Sequence, residues 1–370
     1  MRARPQVAIA HDYLTQRGGA ERVVLAMARA FPEAQIHTTL YNPETTFPEF
    51  ADLDIVTSPL NRLSMIRRHH RLALPVLAPV ASRMNVDADV VLTSTSGWAH
   101  GFNTTGRTVV YCHAPARWLY KPREYLGGHH LQSFAGMALG ILTPPLRAWD
   151  KRVALRATTY LANSRVVSDR IQEAYGITAE VLAPPHGVAA DGDVDPVPEL
   201  EGWGDYHLVV SRLLPYKNVG AAIDAFRGLP DERIVVVGHG PLRHGLVSHL
   251  PSNGRLVSHL SDAQMRWVYS HAHALIAPSI EDFGLTPIEA AAFGKPTIAL
   301  RGGGYLDTVI EGVTGLFVDL ATPDAIAEAV KLSRAQSWDS AYLMEHGASF
   351  GDDRFADALR QRVRAQLAIS

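Results

Sequence analysis

The stretch "APSIEDFGLTPIEAAAFGKP" (Ala277–Pro296) decides the fold of this 370-residue chain. The apolar run "ALIAPS" (Ala274–Ser279) ends in a turn containing Gly284, and a helical pattern follows. That is a strand-to-helix joint of the kind parallel sheets require. Thr286, Pro287 and Glu289 fit the cap, first and third positions of a helix, a capping box with proline where helices prefer it. Gly294 suits the residue after the helix, and Pro296 follows the stop. Glu289 therefore has a local structural task. Glu281, between the strand and the turn, has no comparable one. The amides near Gly284–Thr286 start a helix and form a place for an anion.

The same alternation extends in both directions. "VAIA" (Val7–Ala10), "QIHTTL" (Gln35–Leu40), "VVLTS" (Val90–Ser94), "TVVYCH" (Thr108–His113) and "TTYLAN" (Thr158–Asn163) read as strands in the first half. "YHLVVSRL" (Tyr206–Leu213), "RIVVVGHG" (Arg233–Gly240), "RLVSHL" (Arg255–Leu260) and "PTIAL" (Pro296–Leu300) do so in the second. Helical patterns lie between them. The expected class is α/β: two doubly wound, Rossmann-like domains facing a central cleft. The expected bounds are 1–190 and 203–353, with a Pro-, Gly- and Asp-rich linker over about 185–203. A last helical pattern runs over about 354–370.

Composition excludes several classes. Hydrophobic residues make up 47% of the chain and charged residues 19%, with a formal net charge of −2. Nothing there favours nucleic acid as a partner. Cys112 is the only cysteine, so no internal disulfide forms. The N-terminal apolar run is broken by His11 and Asp12 and reads as a buried strand, not a leader. No run of ~18 apolar residues is present to span a membrane.

Several stretches carry candidate chemistry. Gly18 and Gly19 precede a helix, where amides favour an anion; the alternative is a turn needed only to enter the helix. Arg212 and Lys217, five apart across a Pro-containing turn, either converge on one anion or are two solvated cations. "VVVGHGP" (Val235–Pro241) lacks the third glycine of a dinucleotide fingerprint but allows close backbone approach at Gly238. His113 ends a strand, where a structural and a functional role weigh equally.

Taken in order, "GGAE" (Gly18–Glu21), "YCHAPARWLY" (Tyr111–Tyr120), "SRLLPYK" (Ser211–Lys217), "VGHGP" (Val237–Pro241) and "EDFGLTPIE" (Glu281–Glu289) resemble the retaining glycosyltransferases of family 4, which have the GT-B fold. The last is similar to the family's paired-glutamate motif and is the most specific. "HAPARWLY" and "RAWDKRVALRA" (Arg147–Ala157) are most similar to bacterial enzymes that build surface polysaccharides. The resemblance, and not its spacing, implies that the last helix over about 354–370 crosses back to the first domain. It implies a nucleotide-sugar donor, with GDP-mannose the first expectation and a UDP-sugar the alternative. It assigns the sugar side to His113 and Glu281. The diphosphate goes to Gly19, Arg212, Lys217 and the Gly284, Leu285 and Thr286 backbone, and the ribose to Glu289. The base falls near Gly238, Ser258 and His259. It implies no cofactor, and no Asp-x-Asp pair stands after a strand to hold a metal ion. His186 in "PPHGVAADG" (Pro184–Gly192) departs from the family pattern and receives no role.

Two basic and apolar stretches, Asn61–Arg83 and Leu131–Arg152, suggest an acceptor or membrane surface that includes Arg67, Arg68 and Arg71. The alternative is amphipathic helices packed on their own sheet. The corresponding expectation is a cytoplasmic enzyme, peripheral at the inner face of the membrane, with a glycan or polyprenyl-diphosphate-linked acceptor. Two rivals stand beside it. A GT-B enzyme of another reaction, such as a sugar-nucleotide 2-epimerase, needs no second-substrate surface. A nucleotide-binding regulatory protein without turnover has no use for Glu281 or His113.

Overall fold

The computed structural model describes residues 5–68, 74–120, 134–188 and 190–368. The chain divides into two units, Met1–Pro184 with Asp352–Ser370, and Pro185–Gly351.

In the first unit the strands are β1 (Val7–His11), β2 (Gln35–Thr38), β3 (Ile55–Thr57), β4 (Asn85–Val86), β5 (Val90–Thr95), β6 (Asn103–Thr104), β7 (Arg107–Cys112), β8 (Thr159–Ala162) and β9 (Glu180–Val181). Seven form one parallel sheet in the order β3-β2-β1-β5-β7-β8-β9, while β4 and β6 pair separately. All six residues of β5 are buried, as expected of a strand covered on both faces. Ile9 and Leu92 face the helix Gly19–Ala30 and the C-terminal helix Asp352–Ala368 through Val24, Met27, Phe355 and Leu359. Ala8, Ala10 and Val91 face the other way, toward Ala81, Ala99 and Phe102. The C-terminal helix is fixed by polar contacts too: Arg29 Nη2 donates to Asp352 at 2.6 Å and Gln366 Nε2 to Thr159 at 3.0 Å.

The second unit holds β10 (Tyr206–Val210), β11 (Ile234–Val237), β12 (Gly254–Val257), β13 (Ala272–Ala277), β14 (Thr297–Leu300) and β15 (Gly315–Val318). They form a parallel sheet in the order β12-β11-β10-β13-β14-β15. Alternate residues of the same strands supply two cores: Leu208, Val235 and Leu275 on one face, Val209, Val236 and Ile276 on the other. The stretch expected as a linker belongs to this unit. Val188, Val197 and Leu200 are buried in its core, so scattered apolar residues anchor a segment that lacks any period.

In each sheet the chain reverses its direction of growth at one place, between β1 and β5 and between β10 and β13. The carboxyl ends of those strands leave a crevice in which open α/β sheets bind ligands.

One buried residue carries a pH signature. His207 in β10 is fully buried; neither ring nitrogen has a hydrogen-bond partner, and a carboxylate oxygen of Glu232 lies 3.5 Å from Nδ1. Burial, with His273 and Arg334 nearby, lowers its pKa to about 3. Between about pH 6.5 and about 3 the unfolded chain takes up a proton that the folded chain refuses. Stability therefore falls as pH drops through that window, by at most ~5 kcal/mol. His207→Phe is expected to flatten this fall, read as the urea midpoint at pH 5 against pH 7.5. Equal losses in variant and parent would contradict the assignment.

Candidate active site

The second unit's switch point gathers the residues that the sequence spread over some seventy positions. After β10, the turn Pro215–Lys217 ends at Asn218, which has φ 54°. Asn218 Nδ2 donates to the Pro278 carbonyl at 2.9 Å, tying this turn to the end of β13. A non-glycine residue in the left-handed region is uncommon and costs free energy, which the bond across the switch point offsets. The turn delivers Lys217, 8% exposed, onto Glu281. The Lys217 ammonium donates to Glu281 Oε1, and Ser279 Oγ donates to the same oxygen at 2.6 Å. Glu281 thus has local partners that sequence reasoning missed, one of them Ser279, two residues away. The Gly304 amide donates to the Glu281 carbonyl at 2.9 Å, so "RGGG" (Arg301–Gly304) braces this loop. A side chain on Gly303 would strike that same carbonyl.

Arg212 and Lys217 both touch Tyr216: Arg212 Nη2 donates to its hydroxyl at 3.3 Å, and Lys217 Nζ lies 5.1 Å from the ring centroid. Arg212 is exposed while Lys217 is buried on a carboxylate, so of the two only Arg212 is a solvated cation.

The capping box is corrected. The helix runs Leu285–Ala292, its cap is Gly284 with φ 89°, and no side chain caps it. This left-handed glycine starts the helix earlier than Thr286, placing Thr286 and Pro287 inside the first turn. Tyr305, whose hydroxyl interacts with Ser279 and Thr286, packs where a side chain on Gly284 would stand. Burial, then the charge of Glu281, raises the Tyr305 pKa. Glu289 consequently points away from the helix start. It is 7% exposed, Oε2 accepts from the Tyr269 hydroxyl at 2.7 Å, and Oε1 accepts from the Gly187 amide at 3.2 Å.

At the end of β11, Gly238 abuts the Ser211 carbonyl, which leaves no room for a side chain. Ser258 Oγ donates to the Gly238 carbonyl at 2.5 Å and receives Arg243 Nε at 3.2 Å. His259 has φ 60° and stacks on His239, with ring centroids 5.9 Å apart at 23°. Both imidazoles are exposed, and the contribution of His239 was not foreseen.

In the first unit, Gly19 opens the helix Gly19–Ala30, with Gly18 as a cap lacking any side-chain bond. Glu21 folds back to where a Gly18 side chain would stand, and is 1% exposed. Burial pushes its carboxyl up to about 7, against bonds from its own amide, Gln16 and Gly18. His113 lies one residue beyond β7, half-buried; Nε2 is 2.8 Å from Ser94 Oγ and its carbonyl accepts from Asn163 at 3.0 Å. Burial, then the neighbouring His11, lowers its pKa to about 3. Ala114, Ala116, Trp118 and Leu119 of "HAPARWLY" are core, and Trp118 stacks on Trp98, ring centroids 5.0 Å apart. Asp12, next to β1, is 4% exposed and takes Thr95 Oγ1 at 2.8 Å and the Ser96, Trp98 and Ala99 amides at 2.6, 3.1 and 2.6 Å.

On the basic and apolar surface, Leu63 and Met65 are 53% and 65% exposed beside the helix Ser64–Arg68. Thr57, Ser58, Pro59, Asn61, Arg62 and Arg67 line a recess of about 280 Å³. Arg67 Nη1 donates to the Asn61 carbonyl at 3.1 Å, Arg68 is exposed, and Arg71 lies outside the described residues. The second basic stretch turns partly inward. Arg147 donates to the Leu119 carbonyl, and Asp150, fully buried, receives the Tyr120 hydroxyl at 2.9 Å and His100 Nε2 at 2.8 Å. No helix among the described residues is long and apolar enough to cross a membrane.

Two doubly wound parallel units with polar groups at both switch points are the architecture of the GT-B fold, and solved structures agree. The Anabaena protein HepE, solved with UDP, has a TM-score of 0.70 at 16% identity, covering 97% of this chain and 100% of its own. Sucrose-phosphate synthase from Thermosynechococcus elongatus has 0.69 at 19%, covering 99% and 100%. The family models "Glycosyltransferase Family 4" and "Glycosyl transferases group 1" match residues 17–191 and 199–336. The chain belongs to the family 4 glycosyltransferases. The GDP-mannose-dependent alpha-(1-6)-phosphatidylinositol monomannoside mannosyltransferase of Mycolicibacterium smegmatis is 30% identical over 215 residues, 51% of this chain and 56% of that one. The D-rhamnosyltransferase WbpZ of Pseudomonas aeruginosa is 27% identical over 196 residues, 49% of each chain. The chain spans about half the length of the curated relatives it matches.

Proposed function

We propose that the protein transfers mannose, with retention of configuration, from GDP-mannose to a glycan or polyprenyl-diphosphate-linked acceptor. The observation that carries this reading is the Lys217–Glu281 pair, held across the second unit's switch point. It sets a cation and a carboxylate side by side where a sugar diphosphate carries an anion and a sugar side by side. Lys217, Arg212 and the Gly284–Thr286 amides take the negative charge that develops on the leaving diphosphate, with no metal ion invoked. Glu281 faces the sugar as it gains oxocarbenium character. The leaving phosphate takes the acceptor's proton, so no protein base is required. Glu289 binds the ribose through the acceptor capacity left after Tyr269 and Gly187, and the exposed His239–His259 pair offers the base a flat face near Gly238 and Ser258. The first unit by itself offers the Gly19 amide to a phosphate and His113 to a sugar. The mannosyltransferase relative supports GDP-mannose as donor. Arg62 and Arg67 suit an acceptor phosphate, with Leu63 and Met65 beside them for lipid at the inner face of the membrane.

A thermal-shift panel of GDP-mannose, UDP-glucose and ADP-glucose tests the donor. A ligand of the native state raises the midpoint as RT ln(1 + [L]/Kd), about 2.7 kcal/mol at a hundredfold excess over Kd. GDP-mannose is expected to give the largest rise. A larger rise with UDP-glucose would replace the donor while leaving the class intact.

A further inference from the structure

The first unit's switch point carries a hydrogen-bonded chain behind His113, whose other two members the transfer reaction as described does not use. His11 ends β1 and Ser94 lies beside it in β5, paired in register. They are 3% and 0% exposed. His11 Nδ1 is 3.1 Å from the Ser94 carbonyl oxygen and 3.0 Å from Ser94 Oγ. Ser94 Oγ is in turn 2.8 Å from His113 Nε2.

The polarity of this chain follows from the one group that has no choice. A carbonyl oxygen only accepts, so the His11 nitrogen facing it carries a proton. That Nδ1–H is shared between the Ser94 carbonyl and hydroxyl oxygens. Ser94 Oγ, accepting from His11, has its own hydrogen left to give, and His113 Nε2 receives it. The His113 proton then sits on Nδ1. Burial lowers the pKa of both histidines, although Asp12 and the backbone at Ser94 and Tyr13 pull His11 the other way. Among the described residues no hydrogen-bond partner engages His113 Nδ1, and His113 is the least buried member of the chain. Its backbone is held as well, the amide by the Thr95 carbonyl at 2.9 Å and the carbonyl by Asn163.

We infer that Ser94 and His11 are positioning residues that hold His113 as a neutral imidazole protonated on Nδ1, so that it offers a sugar a hydrogen bond as donor. Its role toward the sugar rests on the transferase reading above; its tautomer does not. In this arrangement His113 gives a hydrogen bond to a sugar hydroxyl or ring oxygen and takes no proton during transfer. The chain of donors also fixes the ring plane, since rotation about χ2 would break the Ser94 bond.

The test is a long-range proton–nitrogen NMR spectrum of the full-length protein with nitrogen-labelled histidine, the His113 signals being assigned by their loss in His113→Gln. The expected spectrum shows a protonated δ1 nitrogen and an unprotonated ε2 nitrogen, unchanged from pH 6 to pH 8. A protonated ε2 nitrogen, or titration in that range, overturns the inference. Ser94→Ala is expected to yield a mixture of tautomers and to lower kcat by roughly ten- to a hundredfold with little change in KM for the donor. Ser94→Thr, which keeps the hydroxyl, is expected to restore the single tautomer. A single δ1 tautomer in Ser94→Ala would show that Ser94 does not set it. If the parent protein turns over no nucleotide sugar, the transferase reading fails while the spectrum still decides the tautomer.

Discussion

Glu281→Ala is expected to lower sugar transfer by about a hundred- to a thousandfold, the scale on which a group acting on developing charge is lost. Glu281 accepts two bonds, from Lys217 and Ser279, and faces Tyr305. Removing it has two consequences that separate experimentally. The reacting sugar loses its carboxylate, which appears in kcat. Lys217 loses its partner while its side chain is only 11% exposed, which destabilises the second unit by about 2–4 kcal/mol. Nucleotide diphosphate affinity is expected to change less than turnover, because the released ammonium remains free to meet phosphate. Glu281→Gln keeps the shape and the Ser279 bond, so it is expected to recover most of the stability and little of the rate. Unchanged turnover in both variants would remove Glu281 from the chemistry.

The second large effect is one of architecture. Asp12→Ala is expected to destabilise the first unit by about 3–5 kcal/mol, because it strands the Ser96 and Ala99 amides and the Thr95 hydroxyl around a buried site and leaves the Trp98 amide only Thr95 Oγ1. The thermal midpoint should fall by roughly 10 °C. These donors span Thr95 to Ala99, immediately after Ser94, so the same loss loosens the support of His113. Asp12→Asn, with one acceptor oxygen in place of two, is expected to lie between parent and alanine variant. Melting of both variants with the parent would mean that the loop holds itself.

How much of this was legible depends on the range over which each feature is determined. The alternation of "VVLTS" or "RIVVVGHG" with helical stretches is local and periodic, and both sheets follow from it. Glu281 and Lys217 stand out because they flank short, irregular joints after buried strands. Their pairing was not legible: it joins residues 64 apart and exists because β10 and β13 are neighbours at the switch point. The His11–Ser94 contact, 83 residues apart, is of the same kind. The capping box was misread for a different reason. Thr286 and Pro287 satisfy the local rule for a helix start, but Gly284 adopts φ 89° and begins the helix sooner. Glu289 then serves Tyr269 and Gly187, partners that no local pattern reveals. The Pro185–Gly204 stretch shows the limit of composition: few apolar residues suffice to anchor a segment when Val197 and Leu200 are fully buried.

In the proposed reaction at the Lys217–Glu281 site, the acceptor oxygen bonds to the anomeric carbon on the face from which the diphosphate departs, and the leaving phosphate takes the acceptor's proton. The most direct measurement is proton NMR of GDP-mannose incubated with the protein and an acceptor glycan, following the anomeric signal of the product. An α-linked product from the α-linked donor is expected, with product formation suppressed in Glu281→Ala. A β-linked product, or a rate indifferent to Glu281, would contradict it.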